Sequence, residues 1–82
     1  MSLGGREAPL EKIRVETLGM RCPQPVLMLA HNARGKPSGT IVELVGDCPT
    51  LEHDVRAWAD RERRTVLAVL GAPPKLTIQV RL

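Results

Sequence analysis

No feature of this chain limits its folding options as sharply as Cys22-Pro23-Gln24-Pro25, where two prolines flank one glutamine. Proline holds φ at about −65° and lacks an N–H, so it suits the first turn of a helix and is disfavoured in helix interiors and central strands. Upstream, Ile13-Arg14-Val15-Glu16-Thr17-Leu18 alternates apolar and polar residues with β-branched types, the pattern of a strand with one buried face. Gly19 ends that pattern. The junction predicts a strand giving way to a helix whose first position is Pro23, with Cys22 as its N-cap. A thiolate there meets the positive end of the helix dipole and unpaired backbone N–H groups. This predicts a lowered pKa for Cys22, assisted by Arg21 and tempered by the missing N–H of Pro25.

The remaining pattern is regular. Val26, Leu29, Ala30 and Ala33 fall at the i, i+3, i+4, i+7 spacing of one helical face. Gly35 and Pro37 stop that helix. Thr40-Ile41-Val42-Glu43-Leu44-Val45 is a mostly apolar, β-branched run suited to a central, covered strand. Asp47-Cys48-Pro49-Thr50 opens a second helix with the same Cys-Pro order. Its stripe Leu51, Val55, Trp58 and Ala59 faces inward, with Glu52, Asp54, Arg56 and Asp60 facing away. Thr65 to Leu70 reads as a third strand and Gly71-Ala72-Pro73-Pro74 as a turn. Lys75 to Leu82 reads as an antiparallel strand with Leu76, Ile78, Val80 and Leu82 on its covered side. The order βαβαββ predicts an α+β fold, a two-layer α/β sandwich of a four-stranded mixed sheet with both helices on one face. Residues 1–11 read as a flexible lead-in, in part a cloning remnant, and residues 12–82 as a single domain.

Composition removes several function classes. The chain has 82 residues, room for one domain, and a chain of that length buries about 60–65% of its unfolded surface. Apolar runs are too short to cross a bilayer and the first residues lack a signal-peptide core, so the expected location is cytoplasmic and no membrane partner is expected. Two cysteines in that setting read as reduced thiols. The net charge of +3 is spread along the chain apart from Arg61-Glu62-Arg63-Arg64, which reads as a solvated helix end. With no Phe, no Tyr and a single Trp in a core stripe, base-stacking platforms cannot be built, and direct nucleic-acid binding is not expected.

Glu16-Thr17-Leu18-Gly19-Met20-Arg21-Cys22-Pro23-Gln24-Pro25-Val26, together with the βαβαββ order and Asp47-Cys48-Pro49, resembles the TusA/SirA-like sulfur carrier proteins over residues 12–82. Gly19, Cys22, Pro23 and Pro25 match that family's motif. Glu16 replaces its usual Asp, and Cys48 stands where Asp or Asn is commoner. The resemblance implies that Cys22 carries sulfur as a persulfide. The sulfur would come from a cysteine desulfurase or a rhodanese-like donor and pass to an acceptor protein serving tRNA thiolation, cofactor synthesis or sulfur oxidation. Such a chain is a covalent carrier first and an enzyme second. It needs no cofactor, no metal and no general base of its own, and a monomer is the expected state.

Thiol chemistry fits that implication, because only a thiolate attacks a donor persulfide and a thiol with a pKa near ambient pH does so best. Gly19, Arg21, Pro23 and Pro25 support Cys22, and Arg21 and Arg34 are candidate docking charges. Cys48 has two readings, a buried small apolar residue or a second thiol of the site able to resolve an oxidised or persulfidated Cys22. A zinc site from Cys22, His31, Cys48 and His53 is disfavoured, since the short paired spacings of structural sites are missing. The competing function is a non-catalytic regulatory or binding module that contacts RNA or a protein partner through its basic surface.

Overall fold

The computed structural model describes residues 11–82; all of the expected lead-in but Glu11 lies outside the described residues. Six elements follow in the expected order: β1 Lys12–Thr17, α1 Gln24–Ala33, β2 Ile41–Gly46, α2 Leu51–Glu62, β3 Thr65–Ala72 and β4 Lys75–Arg81. They build one four-stranded mixed sheet in the order β1-β2-β4-β3. β1 and β2 run parallel, while β4 is antiparallel to both β2 and β3. The apolar run of β2 is therefore central, with a strand on each side, and β3 and β4 form the expected hairpin with a bulge between Val66 and Ala68.

Strand alternation and helical periodicity meet in one core. Val15, Val42, Leu44, Ile78 and Val80 on the sheet pack with Leu29 and Ala33 of α1 and with Leu51, Val55, Trp58 and Ala59 of α2. Leu29, Val42, Leu44, Val55, Ile78 and Val80 have no exposed surface. Burying one such side chain contributes about 1.5–3 kcal/mol, so this layer carries most of a small domain's stability. The buried face of α1 differs slightly from its expected stripe: Val26 and Ala30 are half-buried, and Pro25 is fully buried in the helix's first turn. At the far end of α2, Arg61, Glu62 and Arg63 are exposed, as expected for a solvated terminus, whereas Arg64, expected there too, is half-buried with its Nε out of solvent. Arg63 closes the helix in the left-handed conformation at φ 59, and Arg64 N–H donates to the Ala59 carbonyl at 2.7 Å.

The parallel pair positions the functional rim. Its register sets Thr17 opposite Gly46, so β1 and β2 end at one level and their following loops leave from the same edge. Buried Thr17 donates its hydroxyl to the Val45 carbonyl at 2.8 Å, tying the strand ends together. Gly46 has to be glycine for this fit: a Cβ there would stand 2.8 Å from Thr17 Oγ1 and 3.0 Å from Leu51 Cδ2.

Candidate functional site

Both helices start at this rim, and neither starts with its cysteine. Pro23, not Cys22, is the N-cap of α1, and the first helical residue is Gln24; Thr50 is the N-cap of α2 and the first helical residue is Leu51. In each case the N–H of the first helical residue closes a turn three residues back, onto Arg21 at 2.8 Å for α1 and onto Cys48 at 3.0 Å for α2. The Cys-Pro pairs are thus out of phase by one position. Cys22 lies two residues before its helix and Cys48 three, which sends the first thiol to the surface and the second inward.

Backbone contacts draw the two loops together. After β1 the chain turns at Met20, whose N–H reaches the Thr17 carbonyl at 3.1 Å, and Gly19 takes φ 82, a conformation open to glycine at little cost. Gly19 N–H then donates to Asp47 Oδ1 at 3.0 Å, latching the loop of Cys22 onto the loop of Cys48. Glu16, the acidic residue of the motif, has no part in this. It is exposed and pairs with Arg14 at 2.9 Å.

Both cysteines border an open depression of about 590 Å³ whose lining includes Gly19, Arg21, Cys22, Cys48 and Thr50. Cys22 Sγ donates to Asp54 Oδ2 at 2.7 Å, and the Thr50 hydroxyl donates to the same oxygen at 2.8 Å. Thr50 Oγ1 also lies 3.4 Å from Cys48 Sγ. The two sulfurs and the Asp54 carboxylate all fall within 4.8 Å of one another. Both thiols are free, Cys22 exposed and Cys48 buried.

This geometry corrects three expectations. Asp54 does not face away from the core side: it sits three residues after Leu51 and four before Trp58, bordering the buried stripe, and its carboxylate reaches Cys22. A carboxylate does stand beside the Cys22 thiol, where no general base was expected. The Cys22 thiol is raised above the ordinary cysteine range, not lowered, because Asp54 accepts its S–H, with the Thr50 hydroxyl opposing. Asp54 is correspondingly held below the usual carboxylate range by the hydrogen bonds from Cys22 and Thr50, so the shared proton rests on sulfur.

Cys48 combines features of both of its readings. It is 6% exposed and belongs to the core cluster, yet its sulfur faces the site. The Thr50 hydroxyl and then the Thr50 backbone N–H lower its pKa against the cost of desolvation. His31 and His53 are exposed and outside this cluster, and Arg21 and Arg34 are also exposed, Arg21 at the lip of the depression. Thr50 and Asp54 are the residues sequence reasoning missed. Their i, i+4 spacing directly after Cys48-Pro49 was the available signal, since it stacks the two side chains on one face at the helix start. Among the described residues no helix is long and apolar enough to cross a membrane. A protein-family model described as sulfurtransferase TusA matches residues 13–81.

Proposed function

Because this chain belongs to the sulfurtransferase TusA family, with its general role in sulfur transfer, we propose that Cys22 is the sulfur-carrying residue and holds the cargo as a persulfide. The observation that carries this reading is an exposed thiol whose sulfur lies 2.7 Å from Asp54 Oδ2, an ionised carboxylate oxygen, beside an open depression. Asp54 takes the proton as Cys22 sulfur attacks the terminal sulfur of the donor's persulfide. The new bond joins Cys22 Sγ to that sulfur, the donor's S–S bond breaks, and the donor cysteine leaves as a thiolate. Delivery repeats the exchange with an acceptor thiolate. Donors of the cysteine desulfurase or rhodanese class and a cytoplasmic acceptor protein fit this chemistry, with Arg21 at the lip as a docking charge. Incubating the chain with a desulfurase and cysteine should add one sulfur atom to Cys22, read by mass spectrometry. Cys22→Ala should fold and gain none, and a variant loaded as well as the parent chain overturns the assignment.

Cys48 serves in this reading as the second thiol. Its thiolate attacks the inner sulfur of the Cys22 persulfide, forming a Cys22–Cys48 disulfide and expelling hydrosulfide, so cargo is discharged when no acceptor is present. The proximity of the two sulfurs supports the step. With acceptor withheld, Cys48→Ser should retain its persulfide far longer than the parent chain. Equal rates of sulfide release from both would eliminate the role.

A further inference from the structure

We propose that Cys22, Cys48 and Asp54 form a site for one soft divalent cation of the zinc class, with the two sulfurs and one carboxylate oxygen as ligands. The three ligand atoms already lie within 4.8 Å of one another although they come from two separate loops and a helix. A tetrahedral ion with Zn–S of about 2.3 Å and Zn–O of about 2.1 Å places its sulfurs about 3.8 Å apart and sulfur and oxygen about 3.6 Å apart. Convergence therefore needs movements of about 1 Å or less. The Cys22–Asp54 contact of 2.7 Å is the one that must open, and it is closed by the proton that an ion replaces.

Chemistry selects the ion. Two thiolates and one carboxylate favour a soft, tetrahedral cation over magnesium or calcium, which take oxygen ligands throughout. Binding releases one proton from each thiol, while Asp54 enters as the carboxylate. The Thr50 hydroxyl, bonded to Asp54 at 2.8 Å and 3.4 Å from Cys48 sulfur, orients both ligands from behind, as polar groups around metal sites commonly do. Buried Cys48 supplies a fixed ligand and exposed Cys22 supplies the opening through which the ion arrives. Three protein ligands leave the fourth position for water or a sulfur-bearing ligand. His31 and His53 contribute nothing, so the donor set differs from the four-residue combination of the sequence. Resting on the persulfide reading, a second consequence follows: an ion held by both thiols masks Cys22 from a sulfur donor, and a chelator restores loading.

The decisive measurement is a titration of the reduced 82-residue chain with Cd²⁺, followed by thiolate-to-metal charge-transfer absorption, and with Zn²⁺ by calorimetry. One ion per chain is expected. Cys48→Ala and Cys22→Ser should each weaken binding by more than about 100-fold, and Asp54→Asn by about 10- to 100-fold. Circular dichroism checks that each variant is folded; Cys22 is exposed, so its variant preserves the test if the Cys48 variant unfolds. Unchanged affinity in a folded Cys48→Ala or Cys22→Ser variant, a stoichiometry of one ion per two chains, or no charge-transfer band would each overturn the site. Persulfide loading of the metal-free chain is measured separately by mass, so loss of the metal site and loss of the carrier role give different results.

Discussion

Cys22 owes its chemistry to a neighbour 32 positions away. Its hydrogen bond to Asp54 raises the thiol, whereas a helix dipole alone would have lowered it. The proton is therefore kept on sulfur at rest, with an ionised carboxylate beside it. Asp54→Asn removes the negative acceptor, so the folded pKa of Cys22 should fall and its pH–rate profile for alkylation by iodoacetamide should move to lower pH. With Cys48 protected by burial, the reaction reports Cys22. A profile at the parent position, or one moved to higher pH, contradicts the role given to Asp54. None of this was legible in Cys22-Pro23-Gln24-Pro25, because the charge that dominates the thiol arrives from the second helix.

Helix α1 shows how an element as short as ten residues holds the Cys22 loop in place. Its buried edge runs from Pro25 through Leu29 to Ala33, with Leu29 at 0% exposure, whereas Leu27 on the same helix is 60% exposed. Leu29→Ala should cost about 2–5 kcal/mol by denaturant unfolding, while Leu27→Ala should stay within about 0.5 kcal/mol. Similar losses at both positions would mean that the helix packs differently. Periodicity recovered this element and its partner α2 because a helix with one buried face writes a 3.6-residue pattern into the chain. It did not recover the phase of the two Cys-Pro pairs. A turn that closes onto Arg21 in one case and onto Cys48 in the other is set by loop packing, and the sequence CP reads the same in both.

Across the molecule, two carboxylates tie distant segments together. Asp54 is held low by Cys22 and Thr50, and Glu43 is held low by Gln79 of β4 and then by Lys12 of β1. A depressed folded pKa means that protons bind more weakly to the folded state. This stabilisation is complete above the ordinary carboxylate pKa of about 4 and is lost as pH falls through the lower folded values. Cys22 carries the opposite sign: its raised pKa stabilises the fold below the ordinary thiol range and ceases to do so as pH rises through the folded value. Thermal unfolding across pH should accordingly show a plateau between these limits, with Tm falling on the acid side and an alkaline decline from Cys22 that Cys48 opposes, since its lowered pKa stabilises the fold as pH rises through the thiol range. In Cys22→Ala the alkaline decline should shrink. A Tm that keeps rising as pH drops below 4, or an alkaline limb unaffected in Cys22→Ala, would contradict these assignments.

What the chain encodes locally, it encodes well. Alternation in β1 and β4, the apolar run of β2, the stripe of α2 and the proline and glycine boundaries yield the βαβαββ order and the two-layer sandwich, because short-range periodicity and turn chemistry are properties of neighbouring residues. The motif around Cys22 pointed to the family for the same reason. Assembly of the site belongs to the folded molecule. The Thr17–Gly46 register and the Gly19–Asp47 latch between two loops bring Cys22, Cys48, Thr50 and Asp54 into one group. The distances inside that group set which thiol is raised, which is lowered and which atoms can share a proton or an ion. Electrostatic interactions and hydrogen bonds act over a few ångströms of space and not along the chain, so the acidity of Cys22 had the opposite sign from the one its own segment predicted.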